Sequence, residues 1–154
     1  MPLSQQAKPI TILMADDDED DRLLTQDALT ESRVLNSLYC VKDGVELLEY
    51  LRKQGKYANG EPCPRPSLIL LDLNMPRMDG REALENIKSD PELRSIPIVI
   101  LTTSKQEEDM LRGYNLGAAS YITKPVDFAG LVDLMRTLGR YWVEFVELPS
   151  SDHD

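Results

Sequence analysis

Leu68-Ile69-Leu70-Leu71-Asp72-Leu73-Asn74 sets four unbroken apolar residues directly before a carboxylate. A run this short and continuous predicts a strand covered on both faces, since a half-exposed strand would alternate and a helix needs more length. Two further runs have the same form: Ile12-Leu13-Met14-Ala15 before Asp16-Asp17, and Ile98-Val99-Ile100-Leu101 before Thr102-Thr103-Ser104. Leu38-Tyr39-Cys40-Val41 and Ser120-Tyr121-Ile122 are weaker strand candidates. Amphipathic segments at 20–32, 45–53, 81–89, 106–116 and from about Asp127 alternate with them and carry apolar residues at helical spacing, with Gly117 placed to cap the fourth. Strands alternating with helices predict a three-layer α/β domain around a parallel sheet. The stretch from Tyr57 to Pro66 holds Gly60, Pro62, Pro64 and Pro66 and predicts a surface loop. The domain is expected to span residues 10–146, between tails at 1–9 and 147–154.

Composition narrows the chemistry. The chain has 154 residues, with 17 basic against 27 acidic side chains and a net charge of −10. Such a balance excludes nucleic acid and anionic membrane surfaces as partners, because both demand a basic footprint. The single histidine, His153, lies in a polar tail, so the folded body has none for a Ser-His-Asp triad, a zinc site or a phosphohistidine relay. Cys40 and Cys63 show no CxxC spacing and read as reduced thiols. With no apolar run of about 20 residues and no signal-peptide core, a cytoplasmic location is expected.

In an open parallel sheet, residues at the carboxyl ends of the strands converge on one crevice at the switch point in strand order. Here these are Asp16, Asp17, Asp72, Thr102 and Lys124. Two carboxylates about 5 Å apart repel by roughly 3 kcal/mol at an effective dielectric of 20, so three recruit a cation or a proton. Oxygen donors without histidine or cysteine favour Mg²⁺. A carboxylate beside a cation can also attack phosphorus, with Lys124 and the Thr102 hydroxyl stabilising the transferred charge. One strand-end aspartate is an ordinary cap or turn residue, and Asp18, Glu19, Asp20 and Asp21 read that way. The set on separate strands does not.

The ordered motifs Ile12-Leu13-Met14-Ala15-Asp16-Asp17, Leu70-Leu71-Asp72-Leu73-Asn74-Met75-Pro76-Arg77-Met78-Asp79-Gly80, Leu101-Thr102 and Tyr121-Ile122-Thr123-Lys124-Pro125 resemble the receiver domains of two-component response regulators. The resemblance implies a doubly wound, flavodoxin-like sheet of five parallel strands in the order 2-1-3-4-5, with five helices. It makes Asp72 the phosphoacceptor, and Asp16 and Asp17 an acid pocket that forms the Mg²⁺ site with Asp72 and the backbone carbonyl of Asn74. Thr102 becomes the switch hydroxyl, Thr103 its neighbour at the phosphoryl group, Lys124 the cation and Tyr121 the aromatic that follows the switch. The Lys124-Pro125 bond is expected to be cis. Asn74 and Ser104 occupy variable positions that tune phosphoryl lifetime.

The Lys53-to-Pro66 insert and the Tyr141-Trp142-Val143-Glu144-Phe145 ending look like the small regulators partnered with bacterial and cyanobacterial phytochromes. That narrower likeness implies a phytochrome-type histidine kinase as partner, no output domain, and a homodimer through the fourth helix, fifth strand and fifth helix, with Tyr141, Trp142 and Phe145 at the face. The protein would then be no enzyme beyond assisting its own phosphotransfer and autodephosphorylation. Two alternatives stay open. A haloacid-dehalogenase-like phosphatase would also use a strand-end aspartate, but needs an acid two residues on, where Asn74 stands. A degenerate receiver would serve only as a dimeric adaptor.

Overall fold

The computed structural model describes residues 10–33, 36–114 and 116–141. Five strands, β1 (Ile10–Ala15), β2 (Asn36–Val41), β3 (Leu68–Asp72), β4 (Ile98–Thr102) and β5 (Ser120–Thr123), form one sheet in the order β2-β1-β3-β4-β5, all parallel. Five helices connect and cover them: α1 (Glu19–Ser32), α2 (Gly44–Arg52), α3 (Gly80–Ser89), α4 (Lys105–Arg112) and α5 (Phe128–Tyr141). Sheet order and helix number are as expected.

The period of two along a strand splits each apolar run between two cores. Leu13, Ala15, Ile69, Leu71, Ile98 and Ile100 face the layer of α2, α3 and α4. Ile12, Met14, Leu68, Leu70, Val99 and Leu101 face α1 and α5. Both sets are buried, which is why the runs are continuous rather than alternating.

Register then places the strand ends. Ala15 pairs with Leu71 and Asp72 pairs with Leu101, so Asp16, Asp72 and Thr102 leave neighbouring strands within about one residue of each other. The order reverses between β1 and β3, which puts the crevice over these two strands.

Each of the first four helices starts on a side chain that accepts backbone N–H groups. Asp18 caps α1, Asp43 α2, Asp79 α3 and Ser104 α4. A Cβ on Gly80 would stand 2.5 Å from the Asp72 carbonyl oxygen, so only glycine lets α3 begin this close to the strand that carries Asp72.

Three local expectations change. α4 stops at Arg112 rather than near 116, because Gly113 caps it with N–H bonds to the Met110 and Leu111 carbonyls; Gly117, at φ +92°, belongs to the loop before β5. The stretch from Tyr57 to Pro66, expected as a surface loop, begins inside a 3₁₀ turn, Gly55–Asn59, whose Tyr57 is buried, with its hydroxyl on Glu46 at 2.9 Å and its ring edge-on to Tyr50. The proline-rich remainder, to Pro66, is irregular. No cis peptide bond occurs among the described residues, so the Lys124–Pro125 bond is trans, against expectation. Proline lowers the cost of the cis form without requiring it. The Lys124 N–H bonds to the Thr102 carbonyl at 2.8 Å, and its ammonium reaches Asp16 and Asp21 with the following peptide bond trans.

Cys40 lies in β2 and Cys63 in the insert, both free thiols. Among the described residues no helix is long and apolar enough to cross a membrane.

Candidate functional site

Asp16, Asp17 and Asp72 each offer a carboxylate oxygen within 4.8 Å of the others. Asp16 is fully buried, Asp72 nearly so, and Asp17 is open to solvent. Asp16 is fixed on three sides: its Oδ1 accepts the Asp18 N–H at 2.9 Å, its Oδ2 accepts from the Lys124 ammonium at 2.9 Å, and its carbonyl accepts from Arg22. Asp72 Oδ1 accepts the Asn74 N–H at 3.2 Å, while its Oδ2 lies 3.9 Å from Lys124 Nζ.

Burial dominates the titration of Asp72. Together with the negative charges of Asp16 and Asp17 it outweighs the Asn74 N–H and Lys124, and the carboxyl is pushed up to about 6. Burial alone would lower the Lys124 ammonium, but its hydrogen bonds to Asp16 and Asp21 prevail and raise it above the usual lysine range. The cluster is oxygen-only, anionic, incompletely neutralised by one lysine, and open on the Asp17 side. Those properties fit a hard divalent cation that keeps part of its water shell. A carboxylate placed as Asp72 is, 3.9 Å from a fixed ammonium, has the chemistry of a nucleophile toward phosphorus.

Thr102, expected as the switch hydroxyl, ends β4, Thr103 follows it, and Tyr121 lies on β5. Thr102 is buried, and its Oγ1 lies 3.2 Å from the Ser104 carbonyl, 3.4 Å from the Ile122 carbonyl and 3.4 Å from Thr123 Oγ1. Thr103 is exposed, and its N–H and hydroxyl both donate to Glu107 Oε1, so those donors are engaged by α4. Tyr121 is buried, with its hydroxyl accepting the Leu116 N–H at 3.1 Å and the Arg112 guanidinium over its ring at 5.7 Å. Tyr141 closes α5, while Trp142 and Phe145 lie outside the described residues, as does the side chain of Tyr141.

Sequence reasoning missed two groups. Asp21, grouped with the capping residues, accepts from Lys124 at 2.9 Å. Glu108, buried on α4, accepts from Thr123 at 2.7 Å and also binds Lys105 and Arg112. Asp21–Lys124 and Glu108–Thr123 join separate parts of the chain, so spacing along one helix carries no sign of them; only Lys105 and Arg112, three and four residues from Glu108 on α4, follow helical spacing.

A family model described as response regulator receiver domain matches residues 12–136. Response regulator Rcp1 of Synechocystis is 40% identical over 143 residues, which cover 93% of this chain and 95% of that protein. The crystal structure of the phosphorylated cyanobacterial phytochrome response regulator RcpA superposes with a TM-score of 0.76 at 42% identity, covering 89% of this chain and 96% of that one. The Mn²⁺-bound form of Rcp1 gives a TM-score of 0.75 at 40% identity, over 90% of this chain and 97% of that one.

Proposed function

Because the chain belongs to the response regulator receiver domain family, we propose that it is the phosphoacceptor of a two-component system, with Asp72 taking a phosphoryl group from a phytochrome-type sensor histidine kinase. The observation that carries this reading is the buried Asp72 carboxylate, set between two further carboxylates and a lysine fixed on β5's end. The phytochrome partner rests on the likeness to RcpA. In this reading the domain runs over residues 10–146 and works in the cytoplasm. Its output is a protein-binding face, including a second copy of the chain, built by α4, β5 and α5.

One Asp72 carboxylate oxygen attacks phosphorus, an O–P bond forms, and the N–P bond of the donor phosphohistidine breaks. The electron pair stays on the imidazole nitrogen, which takes up a proton. Near neutral pH most Asp72 is ionised and competent, since its carboxyl titrates at about 6. Asp16, Asp17, Asp72 and the Asn74 carbonyl would hold Mg²⁺, which when bound offsets the charge on the phosphoryl oxygens. Lys124 offers its ammonium to one of those oxygens, and Thr102 turns its hydroxyl from Ser104 and Thr123 toward another. Water later cleaves the acyl phosphate, releasing inorganic phosphate and restoring the carboxylate.

Acetyl phosphate with Mg²⁺ tests the reading. Intact mass spectrometry should show the gain of one phosphoryl group, absent from Asp72→Asn. A variant lacking that carboxylate yet gaining the group would overturn the assignment.

A further inference from the structure

Lys124 has an anchor that a phosphoacceptor site does not require. Its ammonium donates to Asp16 Oδ2 and to Asp21 Oδ2, each at 2.9 Å, and stands 3.9 Å from Asp72 Oδ2. Asp21 is no member of the Asp16, Asp17 and Asp72 cluster. It is the third residue of a helix capped by Asp18, the position from which a longer Glu or Gln side chain bonds back to the capping residue's own N–H in a capping box. That N–H is instead taken by Asp16, and the Asp21 carboxylate is turned to Lys124. Two of the three ammonium donors are thus held on the α1 side of the crevice.

We propose that Asp21 is a positioning residue that holds Lys124 away from Asp72 and competes with the phosphoryl group for its ammonium. The inference rests on the phosphoacceptor reading and deepens it. When Asp72 gains three phosphoryl oxygens, Lys124 keeps Asp16 and exchanges Asp21 for one of them. The released carboxylate is half-buried at a cavity of about 170 Å³ between α1 and α5, so it regains water readily. Asp21 therefore favours the unphosphorylated state, and removing its charge favours the phosphorylated one.

The test is a beryllofluoride titration of the full chain at saturating Mg²⁺, followed by amide NMR at Thr102 and Tyr121. Asp21→Asn and Asp21→Ser should each bind the phosphoryl mimic tighter by roughly three- to tenfold, the worth of a partly exposed ion pair. Asp21→Glu, which can restore the pair, and Asp20→Asn, which removes a neighbouring charge from the same exposed turn, should bind like wild type. Tightening is the diagnostic direction, since damage to the fold would weaken binding. Unchanged or weaker binding by both Asp21→Asn and Asp21→Ser would overturn the inference, as would equal tightening by Asp20→Asn. A wild-type chain that binds no beryllofluoride would overturn the phosphoacceptor reading itself.

Discussion

Asp72 holds its proton up to about pH 6 against 3.8 for an ordinary aspartate, and this sets the sign of its part in folding. Between those values the folded chain binds more protons than the unfolded one, so stability falls as pH rises, and the full cost stands above 6. In metal-free protein at pH 7, Asp72→Asn is therefore expected to raise stability by about 1–3 kcal/mol, shrinking toward zero near pH 4. Urea unfolding at both pH values in the presence of a chelator measures it, and a destabilised variant at pH 7 would show that the carboxylate is not strained by burial. Adding Mg²⁺ should stabilise wild type more than the variant, because one ligand of the cluster is then missing. The same residue marks how far sequence reaches. Asp16, Asp72 and Thr102 were legible because each directly ends a buried apolar run, so strand periodicity fixes where it emerges. Asp21 was not, since its partner Lys124 lies 103 residues away and only the fold, which packs α1 against α5, brings them together.

At the scale of elements, Glu108 clasps α4 to β5. It accepts from Thr123, Lys105 and Arg112, while Arg112 also donates to the Tyr121 carbonyl and covers its ring. The Thr123 hydroxyl leads the causes that pull the Glu108 carboxyl down from 4.5 to about 2, against the opposing effect of burial. A depressed acid adds stability that is complete above its unfolded value and is lost as pH falls from 4.5 toward 2. Lys105 and Arg112 are 72% and 51% exposed, so water and salt screen much of the pairing. Glu108→Gln is accordingly expected to cost about 1–2 kcal/mol at pH 7, with the difference closing as pH approaches 2, as thermal melts across pH would record. An unchanged melting temperature at pH 7 would show that the clasp contributes nothing. Helix existence was readable from periodicity, whereas the early end of α4 was not. Gly113 and Gly117 are both plausible stops by composition, and the choice depends on where the chain must turn back to pair β5 with β4.

Across the whole molecule, the sheet order gathers the carboxylates on β1 and β3 and leaves α4, β5 and α5 on the flank that in the proposed reading would report phosphorylation. The strand order was legible through the ordered motifs rather than the apolar runs, since five similar runs are compatible with many orders. Thr102 stands at the junction of the two regions: its hydroxyl lies 3.4 Å from Thr123, which donates to Glu108 on α4. In the proposed reading, turning Thr102 toward a phosphoryl group would remove one neighbour of Thr123 and loosen the contact that sets α4 against β5. On and just beyond that helix, Met110 and Tyr114 are 52% and 58% exposed, large apolar side chains flanking the proposed self-association face. A charge placed on an apolar side chain that an interface covers is desolvated without a partner and costs the interface from about one to several kcal/mol. Met110→Glu should therefore weaken self-association by about tenfold or more without altering phosphoryl uptake at Asp72. Sedimentation velocity over a concentration series, with and without beryllofluoride, resolves the two effects. Equal association by wild type and Met110→Glu would move the interface off α4, and a wild-type chain monomeric in both states would remove the dimer from the reading.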